Sequence, residues 1–374
     1  MKIGLKNIMV LLALLLGGSS CDSFLDVQPK GEVLEGDLLK DAKGFENALY
    51  GVYAKMGATN LYGQNLSYSA LDLMAQYYTS TNNEEVEPLI KYDYTNTKAE
   101  DLFYNIWCDM YSNIAYANNV LEHLDKFSPS DMQFYNIYKG EALGLRAFMH
   151  FDLLRIFSEQ ITVNESADGI PYSTRFSLFA PDILKSKDVY KRIISDLRSA
   201  EQLLDDEELY ASASSNANFL KDQNIHFNLQ AVQATLARVY LTEGTLDSAL
   251  YYAQQVIQAP GLSLLDYTDI AGDLAGKLSS KETVFGIYSK NFAEPVIKIL
   301  HNSQSAYSFE MRYNIQQLYQ IDGAGNDYRW GAWYTYNNTG KYWKLDKLTD
   351  TYVLNNTEYN RPAFEIRPTY MFSL

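Results

Sequence analysis

The feature that most narrows the possible folds is a run of apolar residues at helical spacing from Asp41 to about residue 257. It is clearest where Phe103, Trp107, Tyr111, Ile114, Ala117, Leu121 and Leu124 fall three or four apart and give one apolar face. The next stretch, GEALGLRAFMHFDLLRIFS (140–158), is apolar almost all round, which predicts a helix held between neighbours on every side. Within it Arg146 and His150 stand four apart and Asp152 and Arg155 three apart, so each pair can share a helix face and common partners. Polar groups in such a layer must be hydrogen-bonded, so these four read as structural ties and not as a catalytic set.

Residues 227–260 are more specific. Ala234, Leu236, Ala237, Tyr240, Gly244, Ala249, Tyr252, Ala253 and Pro260 fall at the positions of a helix-turn-helix repeat of about 34 residues, which looks like a tetratricopeptide unit. Small residues let the two helices approach, Gly244 turns the chain and Pro260 stops the second helix. Stretches at about 103–157 and 188–240 have similar size, so a stack of degenerate repeats is predicted, of the kind that commonly binds another protein. After residue 263 Gly, Asn, Ser and aromatic residues rise, and the helical period weakens between 281 and 346. ETVFGIY (282–288) reads as a strand. The expected fold is mainly α: tetratricopeptide-like helical repeats, an alpha-alpha superhelix, with an irregular, loop-rich half containing short strands. Loops carried on a rigid scaffold are where binding residues usually sit.

The N-terminus speaks to compartment. Lys2 and Lys6 precede an apolar run at 8–16, and Cys21 follows Gly18, Ser19 and Ser20. The run is far shorter than the roughly 20 residues of a membrane span, so residues 1–20 read as a secretion signal. Cys21 resembles the acylated cysteine of a bacterial lipobox, and acyl chains would hold the mature chain on a membrane without a spanning helix. The expected organisation is a signal at 1–20, a helical region at 21–262 and an irregular region at 263–374. Once Cys21 is acylated, Cys108 has no intramolecular partner, so stability rests on core burial. A net charge of −15 repels phosphate backbones and argues against nucleic acid as a partner.

Catalytic patterns are missing from the sequence: it has no HExxH, GxSxG, Walker loop or GxGxxG, and His123, His150, His226 and His301 are scattered. The acidic clusters Glu84, Glu85 and Glu87, and Asp205, Asp206 and Glu207, read as solvated loop charges more readily than as a glycosidase pair. They carry no oxygen-ligand loop motif for calcium. No enzyme activity, cofactor or metal is expected. Sugar binding requires flat aromatic faces beside planar polar groups, and two stretches combine them. In DYRWGAWYTYNN (327–338), an extended chain would put Tyr328, Trp330, Tyr334 and Tyr336 on one face, with Trp333, Asn337 and Asn338 adjacent. The competing reading is a strand that packs its rings into the core. The second stretch runs from Tyr62 to Tyr94 and includes Gln64, Asn65, Asp72, Tyr77, Tyr78, Asn82 and Asn83, for which loop packing competes with ligand contact. The candidate ligand residues are Tyr62, Asp72, Tyr78, Tyr328, Trp330, Trp333, Tyr334, Tyr336 and Asn337.

Several separated segments resemble, in order, one family, the SusD-like (SusD/RagB) nutrient-binding lipoproteins. CDSFLDVQP (21–29) resembles its mature start, FENALYGVYAKM (45–56) its first helix, and Trp107, Tyr111, Ile114, Ala117 and Asn118 its W-x3-Y-x2-I-x2-A-N helix. GEALGLRA, LQAVQATLARVYLTEG (229–244), ETVFGIY and DYR (327–329) resemble later family elements. The resemblance implies tetratricopeptide-like helices cradling an irregular ligand-binding half. It also implies a lipoprotein on the outer-membrane surface that binds glycans and lids a SusC-like TonB-dependent transporter, without enzyme activity. EIRPTYMFSL (365–374) resembles the beginning of a later family helix, interrupted by Pro368, so the chain is expected to be C-terminally truncated relative to the family and residues 263–374 incomplete. Two rival functions remain: a protein-binding helical-repeat lipoprotein without glycan affinity, and a lipid-anchored glycoside hydrolase. If Cys21 carries the anchor, Cys21→Ala abolishes incorporation of labelled palmitate; full labelling of the variant would refute the assignment.

Overall fold

The computed structural model describes residues 38–79, 84–205, 218–266, 268–269, 281–288, 293–301, 310–311, 327–338, 342–345, 348 and 368–373. The candidate anchor Cys21 lies outside them, as do Asn82, Asn83, Asp206 and Glu207. No described helix is long and apolar enough to cross a membrane.

Six long helices form the main layer: α1 (Ala42–Met56), α4 (Thr97–Leu124), α5 (Tyr135–Phe157), α6 (Ser186–Leu204), α7 (Leu229–Glu243) and α8 (Leu246–Ile257). Short helices α2 (Ala70–Met74) and α3 (Glu87–Ile90) lie between α1 and α4. From α4 to α8 each long helix packs on the next, and α1 packs on α4 and α5. Local sequence sets the boundaries. Asp41, Asn96 and Asn228 cap the starts of α1, α4 and α7, their side chains accepting from the backbone N–H of Gly44, Lys98 and Ala231 at 2.8–2.9 Å. Gly244 ends α7 at φ 93°, the left-handed conformation glycine tolerates, and sends the chain into α8. Tyr240 and Tyr252 then stack across that turn with centroids 5.7 Å apart.

Helix α5 is buried on every side from Gly140 to Leu154, as its uniform apolarity predicts. Two glycines make the enclosure possible. A Cβ on Gly140 would lie 2.7 Å from Leu204 of α6, and one on Gly144 would lie 2.5 Å from the Phe227 ring that precedes α7. The buried polar groups of α5 each tie a different neighbour. Glu141 accepts a hydrogen bond from the Tyr53 hydroxyl of α1 at 2.6 Å and meets His226 at 3.2 Å. Arg146 grips Asp196 of α6 at 2.7 and 2.8 Å and donates to Asn118 of α4 at 3.1 Å. His150 donates from Nδ1 to the Arg146 carbonyl at 2.8 Å, accepts from the Ser173 N–H at 3.0 Å and stacks on Tyr172 at 4.0 Å. Burial drives its pKa down to about 3, so the ring is neutral. Asp152 pairs with Arg155 at 2.7 Å and accepts from the Tyr62 hydroxyl at 3.0 Å. Within each pair the two residues are thus joined to each other, Arg146 and His150 through the Arg146 carbonyl and Asp152 and Arg155 by a direct ion pair.

The remaining elements are small antiparallel pairs: β1 (Tyr78–Thr79) with β5 (Glu310–Met311), β2 (Asp168–Pro171) with β3 (Ile183–Lys185), β4 (Thr283–Tyr288) with β8 (Pro368–Ser373), and β6 (Tyr334–Asn337) with β7 (Tyr342–Leu345). Helix α9 (Ala293–Val296) runs into a π turn, and α10 (Tyr328–Trp333) leads directly into β6. Strand β4 confirms the expectation for ETVFGIY. Its Phe285 packs edge-on against Phe227 at 5.1 Å, which seats the strand on the helical layer. The helix expected over 365–374 is corrected: Pro368–Ser373 is strand β8, paired with β4. Pro368 has no N–H to give a helix, is tolerated at a strand start, and is followed by strand formers Thr369, Tyr370 and Phe372.

The close approach at Gly144 is the most restrictive of these contacts. Gly144→Ala should lower stability by about 1–3 kcal/mol, because a ring and not a flexible chain end must move. Thermal unfolding of the variant checks this, and an unchanged melting temperature would count against it.

Candidate functional site

The stretch 62–94 contributes to a second, smaller core, and the hairpin that carries residues 334–337 reaches that core through its other strand. Tyr68, Leu73, Tyr78, Leu89, Val296 and Leu300 form it, and Leu345 of β7 packs against it. Strand β1 pairs with β5 through Tyr78 opposite Met311, and β5 in turn contacts β7. The stretch 62–94 and the hairpin β6–β7 are thus neighbours through one shared cluster.

On that hairpin the rings gather. Trp330 stacks on Tyr334, one helical turn later, with centroids 5.1 Å apart and planes 24° apart. Trp343 meets Trp330 at 4.3 Å and Tyr336 at 5.1 Å, the latter directly across the strand pair. Tyr336 is 40% exposed, while Trp330, Trp333, Tyr334, Asn337 and Trp343 are partly buried. The expected geometry is corrected in one respect. Residues 328–333 are helical and not extended, so Trp330 and Tyr334 come together by helical period, and alternation governs only β6. The side chain of Tyr328 lies outside those described. Trp343 was not among the predicted residues; the alternation in KYWKL, one turn after YTYN, is the signal that could have found it.

In the 62–94 stretch burial divides the candidates. Tyr62 and Tyr78 are buried, Tyr62 with its hydroxyl committed to Asp152, so neither offers a ring face to a solute and both are corrected to core residues. Tyr78 enters β1 and is buried, whereas Tyr77, just before the strand, is exposed together with Tyr92, Tyr94 and Tyr104. Gln76 and Tyr92 hold left-handed backbone at φ 63° and 56°. Gln76 donates its side-chain amide to the carbonyls of Leu73 and Ile90 at 3.2 and 3.0 Å, and the Tyr92 hydroxyl donates to Met74 at 2.7 Å, so these loops are stitched in place. Asp72, on α2, is partly buried, and burial raises its pKa to about 7. Among the described residues no group of three or more His, Cys, Asp or Glu side chains could hold a metal ion. The arrangement offers fixed aromatic faces beside polar side chains, suited to stacking on rings whose other atoms form hydrogen bonds.

Such a structure defines a class, a helical-repeat scaffold carrying an irregular half with an aromatic hairpin. A family model described as SusD-like, starch-binding and associating with the outer membrane matches residues 23–241. The chain belongs to that SusD-like family. It is 28% identical over 211 residues to a SusD-like protein of Formosa agariphila, covering 53% of this chain and 38% of the relative's length. Among solved structures it resembles a SusD superfamily protein from Bacteroides thetaiotaomicron, with TM-score 0.64, 22% identity, and coverage of 82% of this chain and 69% of that one. It also resembles a SusD-like carbohydrate binding protein from Bacteroides vulgatus, with TM-score 0.62, 20% identity, and coverage of 79% and 61%. These likenesses establish the mainly helical fold with its tetratricopeptide-like layer.

Asp72 generates a pH dependence. An unfolded aspartate titrates near ~3.9, so between that value and about 7 the folded chain binds more protons than the unfolded one, and stability falls as pH rises through the window. Asp72→Asn should remove that part of the decline and melt higher than the parent at about pH 8. Parallel melting curves for the two proteins from about pH 4 to about pH 8 would disprove the assignment.

Proposed function

We propose that the protein captures glycans, oligosaccharide or polysaccharide, at the surface of a Gram-negative outer membrane, and hands them to a SusC-like TonB-dependent transporter. Acylated Cys21 is its membrane tether. The observation that carries this reading is the cluster of Trp330, Tyr334, Tyr336 and Trp343, in which packed rings leave Tyr336 presented to solvent. The description of the family, starch-binding and outer-membrane associated, supports the same substrate class and location. Capture needs no bond to be broken: rings stack on the C–H faces of a sugar, and amide and carboxyl groups meet its hydroxyls. Asn337 on β6 and Asp72 on α2, both partly buried, are the polar groups assigned to that part.

A second reading has its own support. Leu246, Leu250 and Ile257 lie along one exposed face of α8, with Tyr251 beside them, and such a face suits a protein partner. Glycan affinity separates the two.

Titration calorimetry or affinity electrophoresis against a polysaccharide panel that includes starch should show binding. Tyr336→Ala should weaken it several-fold, since a stacked ring is worth about 0.5–1.5 kcal/mol, whereas Tyr336→Phe should retain most of it. Unaltered affinity in the alanine variant would remove the hairpin from the site.

A further inference from the structure

We propose that the loop joining β2 to β3 is a second membrane contact, whose tip enters the headgroup region of a lipid bilayer bearing anionic lipids. Residues 174–183 are all exposed, and four large apolar side chains fall within them: Phe176, Leu178, Phe179 and Ile183. Leu178 is 103% and Phe179 87% exposed, so the tip projects with nothing covering it. Scattered exposed apolar residues are ordinary, but a concentration of this kind marks a contact surface.

The loop is held at its root. Asn118 donates its side-chain amide to the carbonyls of Ser173 and Arg175 at 3.1 and 3.2 Å, and the Phe176 N–H donates to Glu122 at 3.0 Å. Asn118 and Glu122 belong to the last turns of α4. The described chain starts at that same end, because Phe45 of α1 meets Phe127, just past α4, at 5.7 Å. Leu38 follows Cys21 by 17 residues, a tether of at most ~60 Å, so an acylated chain keeps this end of the layer near the bilayer. Charge points the same way. Between residues 174 and 187 Arg175, Lys185 and Lys187 stand against Asp182 alone, a net +2 on a chain of −15, with Lys185 also meeting Asp168 at 2.6 Å.

A projecting apolar tip whose root is held by Asn118 and Glu122 is suited to insertion into a headgroup layer. A lipid interface requires only projecting apolar groups, and it adds a second contact to a lipid tether. The inference rests on acylation of Cys21 for orientation alone, so it is tested without the acyl chains.

The mature chain with Cys21→Ala is mixed with vesicles of phosphatidylethanolamine and phosphatidylglycerol and sedimented. The protein should pellet with the vesicles, and the double variant Leu178→Asp, Phe179→Asp should pellet at least about tenfold less. Its melting temperature should be unchanged, because neither side chain touches the core. In Phe179→Trp, emission should shift to the blue on vesicle addition. A parent that stays in solution, a double variant that pellets equally, or retention only on vesicles containing outer-membrane proteins would overturn the proposal. Glycan affinity measured on the same double variant keeps the two readings separable, since loss of vesicle binding leaves capture intact.

Discussion

The cost of stripping water from the polar side chains of α5 is the constraint on which the rest of this structure depends. Glu141, Arg146, His150 and Asp152 are all buried, and an ionised or hydrogen-bonding group in that position is tolerated only when its partners are in place. Those partners arrive from four directions: Tyr53 on α1, Asn118 on α4, Asp196 on α6, and His226 and Ser173 from connecting segments. Burial opposes charge on His226, and Glu141 outweighs it and raises its pKa, so that contact gains strength when the imidazole is protonated. Removing one partner of a buried ion pair typically costs about 3–5 kcal/mol, against well under 1 kcal/mol for an exposed pair such as Lys91 with Glu87. The central helix therefore fixes the position of each neighbour in a way that apolar packing alone, which is non-directional, would not.

That arrangement explains why the segment GEALGLRA is so recognisable. Gly140 and Gly144 are where α6 and Phe227 touch the backbone, Glu141 and Arg146 are two of the ties, and the alanines and leucines fill the space between them. Trp107, Tyr111 and Asn118 belong to the same system from the side of α4. Trp107 packs on Phe157 at 4.9 Å, the Tyr111 hydroxyl donates to Pro171 at 2.7 Å, and Asn118 joins Arg146 to the β2–β3 loop. A motif that looks like family likeness in the sequence is, in the folded chain, a list of close approaches and desolvated groups.

The helical half was legible because its signals are local and redundant. Period, caps and Gly244 all indicate the same elements, and the uniform apolarity of 140–158 correctly indicated enclosure. The irregular half was less so, because there tertiary context chooses between readings the sequence leaves balanced. Aromatic density marked both stretches, yet it could not separate Tyr77 from Tyr78, neighbours of which only the second enters β1 and the second core. In 328–336 the same residues satisfy a period of two or of about 3.6, and the chain uses helix first and strand second. Pro368 was correctly read as hostile to helix, but pairing with β4, whose partners lie 80 to 90 residues earlier, is invisible to local reasoning.

The aromatic hairpin owes its usefulness to what the second core leaves unburied. Leu345 and Tyr78 anchor β7 and β1 in that core, and Tyr334, Tyr336 and Trp343 share the hairpin face of Leu345, where they gather with Trp330. Trp343 is held between Trp330 and Tyr336, so its rotamer is set before any ligand arrives. A ring already immobilised by its neighbours loses little freedom on stacking with a sugar, whereas a loose tyrosine would give up about 0.5–1.5 kcal/mol of rotamer entropy. The interplanar angles of 58° and 62° also mean that the rings form a creased and not a flat surface. Under the proposed glycan-binding role, such a creased surface would suit a bent chain of sugars better than a single flat ring.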